Sequence, residues 1–247
     1  MKNILNWQVL FGLLLIVLSA LVYFIHYLIF RDAHHIFIYL IGDIAFVFFE
    51  VLLVTLVIHQ LLHYREKKSM LNKLNMVIGA FFSEVGSELV KTFLTFDVKH
   101  DEIARKMRIN SNTFEGGFSK ICDDVKDHPY DIDIKKGNLK DLKSFLKEKR
   151  QFLLNLLENP NLLEHDSFTN LLWAVFHLTE ELVYRKDLSK LPETDYEHLA
   201  GDMERVYHLL VIEWLDYMKH LKGNYPYLFS LAVRTNPFDA NASVEVR

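Results

Sequence analysis

The polar and apolar positions divide the chain into two parts. Residues Trp7 to Phe30 and Ile36 to Leu62 are nearly unbroken apolar runs, and about 20 helical residues suffice to cross the hydrocarbon of a bilayer. They predict a two-helix transmembrane hairpin with RDAHH, residues 31–35, at its tip. The first run is too long for the core of a cleaved signal and a second span follows at once, so it reads as retained. Past Leu62 the pattern turns periodic. Leu71, Leu74, Ile78, Phe81, Phe82, Val85 and Leu89 make a narrow stripe at helical spacing. With no turn signal before Asp97, the second span predicts one long helix that runs on beyond the membrane. Gly79, Ser83 and Gly86 form a side stripe that admits a close helix neighbour, from the same domain or from a second copy.

Three more helices follow from caps and stripes. Asn138 offers an N-cap for a helix from Leu139 to Glu158, stopped by Asn159 and Pro160. Asp166 or Ser167 would cap Phe168 to Arg185, whose stripe is Phe168, Leu171, Leu172, Val175, Leu178 and Leu182. The third runs from Tyr196 to Leu221 with Leu199, Met203, Val206, Leu210, Trp214, Tyr217 and Leu221 on one face, ended by Gly223. No segment alternates as a strand would. The expected fold class is an all-α membrane protein, a two-helix transmembrane hairpin continuing into a cytoplasmic helical bundle. Its expected parts are 1–62 (hairpin, spans about 7–30 and 36–62), 63–97 (membrane-proximal amphipathic helix), 98–137 (short helix pair and loop), 138–235 (bundle) and 236–247 (tail). Tyr225, Tyr227, Phe229 and Phe238 are too apolar for a free tail, so they are expected to dock on the bundle or a neighbouring subunit.

Charge orients this arrangement. The hairpin tip carries one Arg against one Asp, whereas Arg65, Lys67, Lys68 and Lys73 follow the second run. Positive-inside bias then places the protein in the inner (cytoplasmic) membrane with both termini cytoplasmic. Of the 28 basic and 32 acidic side chains, all but five lie beyond residue 60, and their acidic balance excludes an electrostatic footprint for nucleic acid. Cys122 is the only cysteine, so an internal disulfide is excluded.

Two carboxylates interrupt the second apolar run. Asp43 lies about ten residues in from the tip, level with Tyr23 and one turn below His26, and Glu50 falls near mid-bilayer on the same helix face. A charge there costs roughly 2.5 to 3.5 kcal/mol, so such residues face protein or water. Asp43, Glu50 and His26 are therefore candidates for an ion pathway or an interhelical contact, and both readings require a homo-oligomer. The membrane-end histidines His26, His34, His35, His59 and His63 also raise a bis-histidine haem, with interfacial residues as the plainer reading.

The soluble part offers one metal constellation. His177 and Glu181 stand at i, i+4 on one helix, and Glu213, Asp216 and His220 at i, i+3, i+7 on the next. If those faces meet, five nitrogen and oxygen ligands suited to Fe, Mn or Zn converge. The plainer reading is a solvated face with i, i+4 pairs. His198 and Asp202 lie about 20 Å along the helix from Asp216 and are expected to be too distant to share that ion. For catalysis there is no Gly-x-Ser-x-Gly, phosphate loop or dinucleotide fingerprint, and Asp123 and Asp124 beside Cys122 disfavour a thiolate.

Ile103, Ala104, Met107, Ile109, Thr113, Phe114 and Ile121 occupy the small and apolar positions of a 20-residue segment, Glu102 to Ile121. This segment resembles the helix-turn-helix of bacterial regulators, which would imply DNA binding. It departs at Arg108, where the turn has Gly, and at Glu115, Gly116 and Gly117 in the recognition helix, and it reads better as a small structural helix pair. The functional expectation is an oligomeric integral membrane protein whose cytoplasmic bundle serves assembly, scaffolding or regulation without catalysis. The bilayer and a cytoplasmic protein are its expected partners, and no cofactor is assigned. The alternatives are a small cation or proton channel and a helical-bundle metalloprotein.

Overall fold

A computed structural model describes residues 2–108, 118–160, 162 and 165–245. It is all-helical, and its described residues form no strand, only an isolated antiparallel bridge between Asp97 and Ile132. The chain divides into two compact units, Met1–Lys67 and Lys68–Arg247.

The first unit holds α1, Lys2–Phe30, and the greater part of α2, Ala33–Phe81. The tight reversal between them has a local cause. Arg31 adopts the left-handed conformation (φ 53°), and the Asp32 carboxylate accepts hydrogen bonds from the backbone N–H of His34 (2.9 Å) and His35 (3.2 Å). Asp32 thus satisfies the orphan donors at the start of α2. Leucine, isoleucine, valine and phenylalanine side chains from Val9 to Leu62 stand exposed nearly throughout. Both helices are long and apolar enough, by length and composition, to cross a membrane.

In the second unit the core begins at Leu74. The helix expected to run unbroken to Asp97 is interrupted by a π-helical segment, Phe82–Gly86, before α3, Ser87–Phe96. A π-bulge inserts one extra residue into the turn. Here it accompanies the burial of two adjacent rings: Phe81 packs edge-on against Phe168, centroids 5.4 Å apart, and Phe82 stacks on Tyr217 at 5.3 Å. The small-residue stripe serves this same domain, because a Cβ on Gly79 would lie 3.1 Å from the Tyr217 hydroxyl.

Short helices α4, His100–Lys106, and α5, Phe118–Lys126, follow. Ile103 and Met107 are core residues, while Ile109, Thr113, Phe114, Glu115, Gly116 and Gly117 of the helix-turn-helix pattern lie outside the described residues. Asn138 caps α6, Leu139–Leu157, by accepting from the backbone N–H of Lys140 (3.0 Å) and Asp141 (3.4 Å). Helix α7 is Asp166–Tyr184, capped by His165 and not by Asp166 or Ser167, since Nδ1 of His165 accepts from the Phe168 N–H. The Ser167 hydroxyl is taken elsewhere, by Glu213.

Helix α8 extends over Glu193–Asn224 and passes through Gly223. It stops at Tyr225 because the residue before Pro226 is driven out of helical geometry. Helix α9, Pro226–Arg234, closes the set. The predicted stripes of α7 and α8 are buried, with Tyr217 half-buried. Of the terminal aromatics Phe229 and Phe238 dock, Phe238 edge-on to Trp214, Tyr225 is half-buried, and Tyr227 is exposed.

Candidate metal centre

Helices α7 and α8 lie antiparallel, as two cross-helix contacts show: Ser167 near the start of α7 bonds Glu213 late in α8, and His177 late in α7 meets Asp202 early in α8. This register splits the expected five-ligand set. His177 and Glu181 stay together but face His198 and Asp202, the pair expected to lie too far from Asp216 to share its ion. Glu213 sits some three turns further along α8, Asp216 is exposed, and His220 is half-buried beside Tyr225 and Asn224. Helix α7 does meet α8 at Glu213, but through Ser167 at its start; the turn that carries His177 and Glu181 lies opposite His198 and Asp202.

Within the observed group, His198 and Asp202 are one turn apart on α8, so both side chains leave the same face. The Nε2 atoms of His177 and His198 lie 3.4 and 3.3 Å from Asp202 Oδ2. One ligand atom from each of the three residues falls within 4.8 Å of the others. A metal at the bond lengths of imidazole and carboxylate, about 2.0 to 2.2 Å, holds its tetrahedral ligand atoms about 3.4 Å apart. The two His–Asp spacings match that value.

The Asp202 side chain is 4% exposed, and its Oδ2 has no hydrogen-bond donor, although two imidazoles are aimed at it. Its other oxygen accepts from Arg205 Nη1 at 2.9 Å. A buried carboxylate oxygen without a donor is costly, and a cation between it and the imidazoles would remove that cost. Glu181 flanks the same space, with oxygens 3.9 Å from His177 Nε2 and 3.8 Å from His198 Nε2. Arg185 donates to Glu181 and forks onto both oxygens of Asp195 at 2.8 and 2.6 Å. That hydrogen bond holds the Glu181 carboxyl below its usual range. Arg185 therefore fixes Glu181 as an ionised wall of the site.

As ligands, two imidazole nitrogens and one carboxylate oxygen, with the imidazoles half-exposed, would leave coordination positions open to water. That pattern belongs to divalent first-row metals, and an open position is a property of catalytic, not structural, sites. Cys122 is not part of this group, and burial, and secondarily Asp216, pushes its thiol up.

Glu213 has a different environment. It is 2% exposed and accepts from the Ser167 hydroxyl at 2.9 Å, which lies 3.1 Å from His165 Nδ1. Burial raises its pKa to about 7, with Asp216 adding to the rise and Ser167 opposing it.

In the first unit, His26 stacks on His35 with centroids 5.9 Å apart across the reversal, while Asp43 and Glu50 are both exposed.

The family described as "Uncharacterized protein MJ1433, C-terminal helical domain" matches residues 70–234, and its companion "MJ1433, N-terminal helical domain" matches residues 2–62. A relative from Methanocaldococcus jannaschii, "Uncharacterized protein MJ1433", is 49% identical over 234 residues, covering 95% of this chain and 94% of its own. No solved structure matches the chain.

Proposed function

Since the chain belongs to the MJ1433 family, sharing both of its helical domains, we propose that it is a membrane-tethered protein whose helical bundle holds one divalent transition-metal ion on His177, His198 and Asp202. The observation that carries this reading is Asp202 Oδ2, buried without a donor and faced by two imidazole nitrogens at 3.3 and 3.4 Å. The metal would supply a Lewis-acidic centre with sites open to water or a small ligand. Of this chain's residues, Arg205 balances the second Asp202 oxygen and Arg185 keeps Glu181 in place.

The tether is the pair of apolar helices in the first unit, which support an integral location with both termini on the cytoplasmic side. Glu50 is exposed on a single chain, and a carboxyl group cannot face lipid without large cost. We therefore assign the protein to a homo-oligomer in which Glu50 meets a neighbouring copy. The role remains one of assembly or regulation, with the bilayer and a partner protein in reach of the bundle.

The test is native mass spectrometry of the full-length protein in mild detergent, paired with Co2+ titration followed by visible absorption. One metal per chain and ligand-field bands are expected for the native protein. Both should be lost in Asp202→Asn and His198→Ala and kept in Asp216→Ala. A native protein that binds no Co2+, or an Asp202→Asn variant that binds it as well, overturns the reading.

A further inference from the structure

A second feature of the bundle shares no residue with the metal centre. Between α3, α4 and the segment after α9 lies a cleft of about 500 Å3, within the size range of small-molecule sites. Leu94, Pro237 and Phe238 give it an apolar side, and Lys91, Arg108 and Lys136 bring three cations to it, beside the exposed Asp101, which pairs with His100 at 3.5 Å. Lys91 pairs with Glu88 at 3.6 Å; among the described residues Arg108 and Lys136 have no carboxylate partner. Asp97 also lines the cleft and is 1% exposed.

The local backbone explains why Asp97 is held there. Asp97 ends α3, where the Val98 N–H donates to Asp131 O at 2.8 Å and the Asp133 N–H to Phe96 O at 2.9 Å, clamping the chain on both sides of it. A Cβ on Gly137 would lie 2.5 Å from the Phe96 ring, so that clamp closes tightly. Oδ1 of Asp97 accepts from the Lys99 N–H at 2.8 Å, and Oδ2 has no donor.

Further polar groups nearby are equally unsatisfied. Both ring nitrogens of His128 and the Tyr207 hydroxyl are buried without partners. The rings of His128, Tyr130 and Tyr207 follow one another edge-on at 5.0 and 4.9 Å. The Asp97 charge acts on all three: it opposes the burial that lowers the His128 pKa and adds to the burial that raises both tyrosines. Of these groups Asp97 alone lines the cleft, so its donor-less Oδ2 is the buried polar atom that an occupant of the cleft would satisfy.

We propose that this cleft binds a small phosphate ester of a hydroxylated metabolite, a sugar phosphate in chemical class. Its phosphate lies against Lys91, Arg108 and Lys136, and one of its hydroxyls donates to Asp97 Oδ2. A phosphate suits the cations, a carboxylate is the natural acceptor for a sugar hydroxyl, and Phe238 and Leu94 offer an apolar wall to the carbon skeleton.

Isothermal titration of the full-length protein in detergent, with ribose 5-phosphate as probe and ribose as control, tests this. Ribose 5-phosphate should bind with a dissociation constant below about 1 mM, and ribose should give no heat. Asp97→Asn should weaken binding at least tenfold, because the amide offers a donor where the hydroxyl needs an acceptor. The double variant Arg108→Gln/Lys136→Gln changes exposed residues only and should weaken it by a similar factor. It keeps the test decisive if Asp97→Asn does not fold. Absence of heat with ribose 5-phosphate, equal binding of ribose, or unchanged affinity in the double variant overturns the proposal.

Discussion

Two buried carboxylates on α8 have opposite environments, and each leads to a distinct expectation. Asp202 has a guanidinium on one oxygen and two imidazoles facing the other. Glu213 is buried with one hydroxyl donor and the Asp216 charge acting on it, and burial raises its folded pKa to about 7 from the ordinary 4.5 that it has in the unfolded chain. Because the folded pKa is raised, the native state binds the proton more tightly than the unfolded chain does. The stability this provides is complete below about pH 4.5 and is lost as pH rises through about 7, a loss of roughly 3 kcal/mol. Glu213→Gln should therefore flatten the decline between pH 5 and 8 and be the more stable protein at pH 8. Urea denaturation at both pH values checks this, and a parental slope retained in the variant would locate the pH dependence elsewhere. For Asp202 the expectation is linkage to metal: Co2+ or Zn2+ should raise the melting temperature of the native protein and leave that of Asp202→Asn unchanged.

Among the elements, α6 depends most on a single cap. Asn138 accepts two backbone N–H groups at the start of a 19-residue helix. Asn138→Ala should cost about 1 kcal/mol, read as a lower urea midpoint with an unchanged slope. The π segment is a second element-level feature. Its sequence, Phe82–Gly86, carries no breaker beyond one glycine, and the interruption accompanies the two ring contacts with Phe168 and Tyr217. Tyr217→Ala removes the partner of Phe82 and opens space beside Gly79; because the ring is half-buried, the expected loss lies below the roughly 3 to 5 kcal/mol of a fully buried ring.

For the molecule as a whole, the division at Lys67 and a core that begins at Leu74 imply that the second unit can fold alone. Residues 68–247, expressed separately, should be soluble without detergent, monomeric by sedimentation, and still bind Co2+. The full chain should require detergent and sediment as an oligomer. Glu50→Gln should keep that oligomer, because the amide preserves hydrogen bonding across the interface, whereas Glu50→Leu should shift it toward smaller species. Proton or cation flux through liposomes that disappears in Glu50→Gln would instead favour the conducting alternative.

Periodicity and caps were legible from residue order because they arise within one segment: the α7 and α8 stripes, the Asn138 cap and the two apolar runs each depend on neighbours a few positions away. The same local rules failed where a partner from another element intervened. His165 caps α7 because Glu213 engages Ser167. His177 meets Asp202 because α7 and α8 fold back about a short connection: His177 lies seven residues before the end of α7 and Asp202 nine after the start of α8. Counting from that loop would have found the pair, whereas ligand spacing within each helix could not. The Asp97 cleft had no sequence signal, since its wall and charges come from segments as far apart as Lys91 and Ala240. Helix identity and apolar faces are properties of the covalent order, written in a repeat of 3.6 residues. Which side chains share a site depends on interhelical register, and register is set by loop length and by how rings such as Phe81, Phe82 and Tyr217 fill the space between helices.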